Sequence, residues 1–330
     1  MKKLQLLRFG NPDEVIALNE APEPALQAGE VLVKLEAAPI NPSDFLIAKG
    51  HYALQPTFPF NLGSEGVGRV VTVGHEVDEA LQGKRVLILP TSEVGTWADH
   101  LVATPQQLLP VPEEADALQL AMIGINPATA YLLLREYVEL QRGEWIGQTA
   151  ANSAMGQYIV QFARLAGLKT LNVVRREEAA AQVRQSGGDL VLVEGPDLAQ
   201  NVKTALQGEQ LSLILDIVGG GVVSSLAQSL KNGGPVVSYA MQSGEFPTIS
   251  PADFFFRGLS LHGFWLINWL RKAPRQEIET VYGKLAGLVC DGTLHASVDA
   301  TYGISEYKQA ITHSLQSGRK GKVLFQPSVT

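Results

Sequence analysis

The chain has a single cysteine, Cys290, among its 330 residues. No intramolecular disulfide can form, so burial and hydrogen bonding must hold the fold, and the usage fits a reducing compartment. The same scarcity excludes a four-cysteine zinc lobe. Histidine does not compensate: His51, His75 and His100 fall in the first half, and no two show the close spacing of zinc ligands. Basic charge is also in deficit, with 26 Lys and Arg against 33 Asp and Glu and a formal net charge of -7. No block of Lys or Arg offsets that balance, which argues against nucleic acid and against a membrane surface as partner. No run reaches the ~18 apolar residues of a membrane span. The opening Met1-Lys2-Lys3-Leu4-Gln5-Leu6-Leu7-Arg8 is broken at Gln5 and ends at Arg8, short of a secretion signal. Repeats and low-complexity tracts are absent. The expectation is a cytoplasmic protein with no metal.

At 45% hydrophobic and 18% charged residues, the chain is too apolar to stay disordered. Its length exceeds what one core serves, so two domains are expected. From residue 1 to about 118 the sequence reads as short strands such as Val31–Leu35, Gly68–Gly74 and Arg85–Pro90. Turns such as Gln27-Ala28-Gly29-Glu30 and Leu81-Gln82-Gly83-Lys84 separate them, and no helix-length pattern is visible. Near Leu118 the period changes. Trp145–Thr149 reads as a strand, after which Met155, Ile159, Phe162, Ala163 and Ala166 recur at helical spacing. Thr170–Val174, Leu190–Val193, Leu211–Ile217, Pro235–Tyr239 and Leu259–Gly263 continue as strands with helical stretches between them. Such alternation predicts an α/β protein with a doubly wound parallel sheet of the Rossmann type. Residues 276–290 read as a helix, and Lys322–Phe325 returns to β character.

A strand that runs into a helix presents backbone amides on which a pyrophosphate can sit. The glycine positions of that loop fall on Ala151, Ser153 and Gly156, so only the third glycine is present. An ordinary strand-to-helix turn has the same appearance, but the small residues leave room for a phosphate, and Asn152 and Ser153 can hydrogen-bond to it. The end of the second strand speaks to the cofactor. An NAD site wants an acid there for the ribose 2′-hydroxyl, whereas Arg175 and Arg176 follow Val174. Guanidinium groups pair bidentately with phosphate and so point to NADPH. As mere solvated residues, two arginines opening a helix would oppose its dipole.

Four segments carry a family resemblance: Asn41-Pro42-Ser43-Asp44 with Gly50-His51-Tyr52, the loop 150–156, Asn172-Val173-Val174-Arg175-Arg176, and His262-Gly263-Phe264-Trp265-Leu266. Over nearly its full length the chain resembles the zinc-independent medium-chain dehydrogenase/reductases. It is most similar to the 2-enoyl thioester (trans-2-enoyl-CoA/ACP) reductases and is related to the NADPH:quinone oxidoreductases. The first segment is shared with the quinone enzymes, and the others point to enoyl reductases. Ser64 stands where zinc-dependent relatives carry a histidine. Gly147 and Gln148 are unusual in a first Rossmann strand, and Ala240 replaces the usual glycine after Tyr239.

The resemblance implies a mostly β GroES-like catalytic domain built from residues 1–118 and 267–330, and a Rossmann NADP-binding domain at 119–266. It also implies a homodimer paired along the last Rossmann strands. Asn126, Ser153, Ala154, Met155, Gly156, Arg175 and Arg176 are expected to contact NADPH. Tyr239, Ala240, Met241, Gln242, Phe264, Trp265, Leu266, Ile267 and Lys322 are expected to contact it as well. Asn41 and Trp265 are expected to line the substrate pocket. Tyr52 resembles the family's catalytic tyrosine, which would protonate Cα after hydride reaches Cβ of a 2-enoyl-CoA or acyl-carrier-protein thioester. Two other readings stay open: an NADPH:quinone oxidoreductase, and a non-catalytic NADPH-binding sensor on the same fold.

Overall fold

Short Val- and Leu-containing segments bounded by Gly and Pro make the strands of the first part of the chain. They are β1 (Lys2–Leu6), β2 (Ile16–Glu20), β3 (Val31–Pro39), β4 (Phe60–Asn61), β5 (Gly66–Val73), β6 (Arg85–Ile88), β7 (His100–Ala103) and β8 (Leu108–Pro110). The computed structural model describes residues 1–91, 94–316 and 318–327. It divides into two units, residues 1–128 with 267–330, and residues 129–266. In the first, β1 lies between β2 and β4, and β3 pairs antiparallel with β5 and β7. This part is mostly β, as expected, and its helices, Pro12–Val15, Pro42–Ala48 and Ala117–Ala121, are short. These helices are too short to show a period, and local capping starts the second and third. Pro42 opens its helix while Asp44 Oδ2 accepts the Asn41 amide at 2.8 Å. Asp116 Oδ1 likewise accepts the Leu118 amide at 2.7 Å.

Residues 129–266 carry β9 (Trp145–Gln148), β10 (Lys169–Val174), β11 (Leu190–Val193), β12 (Leu211–Asp216), β13 (Pro235–Ser238) and β14 (Ser260–Gly263). Their order is β11-β10-β9-β12-β13-β14, and every pairing is parallel. This is the doubly wound sheet expected from the alternation of strands and helices. Every residue of β12 is buried, as a central strand covered on both faces requires. Helices Leu198–Leu206 and Gly221–Ala227 supply Leu198, Val202, Val223 and Leu226 to a core with Leu171, Val173, Ile214 and Val236. The unusual pair in β9 has a local cause. A Cβ at Gly147 would lie 2.9 Å from Leu211 Cδ1. Gln148 Nε2 donates to Asn172 Oδ1 at 2.7 Å and to Gly156 O at 3.2 Å, so the buried amide ties β9 to β10 and to the following helix.

The last part of the chain returns to the first unit with helix Arg275–Cys290, β15 (Val298–Tyr302), helix Tyr307–Leu315 and β16 (Lys322–Phe325). β16 runs parallel to β15 and antiparallel to β3, with Leu324 opposite Pro39. The resulting order is β15-β16-β3-β5-β6-β8, with β7 also on β3. Both ends of the chain therefore share one core, where Leu4, Ile40, Phe45, Trp97, Val323 and Phe325 are buried together. Among the described residues no helix is long and apolar enough to cross a membrane.

Candidate active site

The strand order of the parallel sheet reverses between β9 and β12, and such a switch point opens a crevice at the carboxyl ends of the strands. The loop after β9 turns sharply: Ala150 takes φ +46°, a left-handed conformation that costs a non-glycine residue about 1 kcal/mol. Ala151 is fully buried, and a Cβ at Gly156 would overlap its carbonyl and lie 2.6 Å from its Cα. Ser153 caps helix Ala154–Ala166, its Oγ accepting the Gly156 amide at 3.0 Å. The amides of Ala154 and Met155 stand in the first turn, where no helical carbonyl precedes them.

Asp216 organises the other side of the switch point. It is fully buried at the end of β12 and accepts from Thr149 Oγ at 2.8 Å, the Val218 amide at 3.0 Å and the Gly219 amide at 3.0 Å. The segment Tyr239–Gln242 lies along the same end: the Tyr239 amide donates to Asp216 O and the Gln242 amide to Ile217 O, both at 3.0 Å. The Tyr239 hydroxyl is buried without a partner, which costs about 1–3 kcal/mol if nothing answers it. Burial pushes this phenol up, and Asp216 adds to the effect. Phe264 follows β14, its amide donating to Ser238 O at 2.9 Å. Trp265 is half-buried, and Leu266 and Ile267 are buried. Arg175 and Arg176 are exposed at the end of β10, with no side-chain partner among the described residues. A turn pressed onto a capped helix, two unpaired guanidiniums and an orphaned buried hydroxyl fit a phosphorylated dinucleotide.

The first unit holds a second polar constellation. The register of β16 on β3 brings Lys322 beside Asn41, whose Oδ1 accepts from the Lys322 ammonium. Asn41 Nδ2 donates to Glu65 Oε1 at 2.8 Å, and the Ile125 amide donates to Glu65 Oε2 at 2.8 Å. Ser64 Oγ donates to Asp44 Oδ1 at 2.6 Å. The Tyr282 hydroxyl donates to Gly124 O at 2.7 Å. Tyr52 is half-buried against the core cluster that contains Ile40 and Val323, the chain neighbours of Asn41 and Lys322. Asn126, half-buried, begins helix Asn126–Leu133 directly after Ile125.

Residues 27–113 match the alcohol dehydrogenase GroES-like domain, and residues 154–285 match the zinc-binding dehydrogenase family. The chain is 34% identical over 312 residues to the mitochondrial enoyl-[acyl-carrier-protein] reductase of Rattus norvegicus, covering 93% of this chain and 83% of that protein. The chain belongs to the medium-chain dehydrogenase/reductases, in the enoyl-[acyl-carrier-protein] reductase family. Two solved structures are similar to this family member. One, provisionally described as an NADPH:quinone reductase from Bacillus thuringiensis, superposes with TM-score 0.91 at 28% identity and covers 98% of each chain. The other is the Etr1p/NADP/crotonyl-CoA complex, with TM-score 0.85 and 25% identity over 98% of this chain and 99% of that one.

In this enoyl-reductase family member, Ser64, at the position where zinc-dependent relatives carry histidine, is engaged with Asp44. Among the described residues no group of three or more His, Cys, Asp or Glu could hold a metal ion. Burial raises the Glu65 carboxyl, opposed first by Lys322 and then by Asn41 and the Ile125 amide. Lys322 is lowered by burial, opposed by Glu65 and Asp44. Asp44 is pushed up to about 6 by burial, against the pull of Ser64, the Asn41 amide and Lys322.

Asp44 therefore makes a signed prediction. A carboxyl raised on folding binds more protons in the native than in the unfolded chain between pH 3.8 and about 6. Its contribution to stability must fall as pH rises through that window, by about 3 kcal/mol. In urea unfolding the unmodified protein should lose about 3 kcal/mol relative to Asp44→Asn between pH 4 and pH 7. A gain in stability of the unmodified protein over Asp44→Asn with rising pH contradicts the burial argument.

Glu65 and Asp216 were not among the site residues expected from sequence. Each is a lone carboxylate in an apolar, glycine-rich stretch, Gly63-Ser64-Glu65-Gly66-Val67-Gly68 and Leu215-Asp216-Ile217-Val218-Gly219. A charge placed where burial is expected, with no basic neighbour in sequence, is the signal that was available.

Proposed function

We propose that the chain reduces the C=C bond of 2-enoyl thioesters with NADPH, placing hydride on Cβ and a proton on Cα. The observation that carries this reading is the 34% identity to the rat enoyl-[acyl-carrier-protein] reductase, which extends over 93% of the chain. A neighbour described as a complex with NADP and crotonyl-CoA supports both the cofactor and the thioester. NADPH rather than NADH is supported by the unpaired Arg175 and Arg176 at the end of β10, where an NAD site wants an acid.

NADPH, when bound, supplies the hydride. The Ala154 and Met155 amides and the dipole of helix Ala154–Ala166 hold the pyrophosphate. Arg175 and Arg176 hold the 2′-phosphate, Asn126 binds the cofactor from within residues 119–266, and Lys322 binds it from residues 1–118 and 267–330, to which we assign catalysis. We assign residues 119–266 to cofactor binding. Tyr52 delivers its hydroxyl proton to Cα of the enolate, and Asn41 and Trp265 line the acyl site. A phenol is a sufficient acid toward an enolate whose oxygen is hydrogen-bonded.

Among the described residues β14 is bonded on one side only, to β13, and it exposes Leu261 and His262. These features support a homodimer paired along that edge, as does a relative described as an Etr1p/Etr2p heterodimer from Candida tropicalis. Cys290, exposed and outside any disulfide, supports a reducing compartment. We infer the cytoplasm, although the rat relative is named as mitochondrial.

An NADPH:quinone reductase is the second reading, favoured by the Bacillus thuringiensis structure at TM-score 0.91. Steady-state turnover decides between them. The purified chain should consume NADPH with crotonyl-CoA and yield butyryl-CoA, with a higher kcat/KM than for 1,4-benzoquinone. The reverse order makes it a quinone reductase.

A further inference from the structure

Glu65, Asn41 and Lys322 form a chain in which each hydrogen bond dictates the next. A carboxylate can only accept, so Glu65 Oε1 obliges Asn41 to turn its NH2 group toward it. The Asn41 carbonyl oxygen must then face the other way, where it receives the Lys322 ammonium. The second oxygen of the same carboxylate takes the Ile125 amide. A Cβ at Gly124 would lie 2.8 Å from Glu65 Oε2, so the backbone there rests directly on the carboxylate. Tyr282 holds that backbone through Gly124 O. One side chain thus reaches both Asn41 and the peptide leading to Asn126.

Packing alone does not call for this arrangement. Asp44, Glu65 and Lys322 are 0%, 1% and 7% exposed. Buried ions of this kind are often replaceable by apolar residues of similar volume without loss of stability. The charged groups facing Lys322 are Glu65 just before β5, Asp44 on helix Pro42–Ala48 and Arg319 ahead of β16. The Tyr282 hydroxyl faces Glu65 from helix Arg275–Cys290. Asp44 is already committed to Ser64 and to the Asn41 amide, which leaves Glu65 to orient Asn41.

We propose that Glu65 is a positioning residue: it sets the direction of the Asn41 amide, thereby seats the Lys322 ammonium toward NADPH, and fixes the peptide from which Asn126 begins. This inference rests on the assignment of Lys322 to NADPH made above.

Glu65→Gln keeps the shape and removes the second acceptor. The new NH2 group must meet either the Ile125 amide or the Asn41 NH2. If Asn41 turns to accommodate it, Asn41 presents a donor to the Lys322 ammonium. The test is NADPH affinity of the full-length chain, by fluorescence titration, for Glu65→Gln, Lys322→Met and the pair together. Each single change should weaken NADPH roughly tenfold. The double variant should be no weaker than either single, because both changes remove the same contact. Effects that multiply, or an unchanged affinity in Glu65→Gln, overturn the proposal.

A rescue variant covers failure of Glu65→Gln to fold. Adding Asn41→Asp gives the glutamine an acceptor, leaves an oxygen for Lys322 and restores the charge count. That double variant should fold and regain most of the NADPH affinity, and its failure to do either overturns the proposal. Failure of the unmodified chain to bind NADPH and reduce crotonyl-CoA overturns the functional reading itself. An unchanged NADPH affinity in Lys322→Met overturns the assignment of Lys322. A failure confined to Glu65→Gln or its rescue overturns only the role of Glu65.

Discussion

Tyr52→Phe should lower kcat for crotonyl-CoA by at least about tenfold, and by about 10² to 10⁴ if Tyr52 is the full general acid. The substitution keeps the ring, and with it the packing of Tyr52 on the core cluster shared by Ile40 and Val323. Only the hydroxyl is lost. Folding and NADPH affinity should therefore stay as they are, and the defect should sit in kcat. Quinone reduction requires no proton at carbon, so its rate should change far less. Parallel steady-state assays with crotonyl-CoA and 1,4-benzoquinone check this. A normal enoyl rate in Tyr52→Phe assigns the proton to another group.

The double variant Arg175→Ala, Arg176→Ala should raise KM for NADPH by roughly ten- to a hundredfold and leave KM for NADH nearly unchanged. Charge-assisted hydrogen bonds to a phosphate are worth about 1.5–3 kcal/mol, which corresponds to that range. Neither guanidinium has a side-chain partner among the described residues, and both are exposed at the end of β10. Their removal breaks no ion pair, so fold stability should not follow the affinity down. Initial-rate kinetics with both cofactors decide the point. Equal use of NADH and NADPH by the unmodified protein contradicts the role given to the pair.

The fold class was legible because hydrophobic periodicity is local. The helical recurrence of Met155, Ile159 and Phe162 and the apolar run Leu211–Ile217 are complete within a few turns or one strand. The short helices of the first unit were not legible, since Asn41-Pro42-Ser43-Asp44 begins a helix through its caps and offers no period. The strand order β11-β10-β9-β12-β13-β14 arises from packing that a single pass along the chain does not display. In the candidate site, motif resemblance named Asn41 and Lys322, which lie 281 positions apart and are hydrogen-bonded in the structure. Glu65 escaped notice because its meaning depends on three partners from distant segments: Asn41, Ile125 and Lys322. Asp216 escaped for the same reason, since Thr149 reaches it from 67 positions away.

Isotope tracing of the product tests enoyl reduction most directly. The chain is incubated with crotonyl-CoA and NADPH carrying deuterium at the transferable C4 position, and the butyryl-CoA is analysed by mass spectrometry and NMR. A parallel reaction uses unlabelled NADPH in D2O. Enoyl reduction places deuterium at Cβ in the first reaction and at Cα in the second, with Tyr52→Phe slowing both. Consumption of NADPH without butyryl-CoA, or a product with no cofactor-derived label at Cβ, would contradict it.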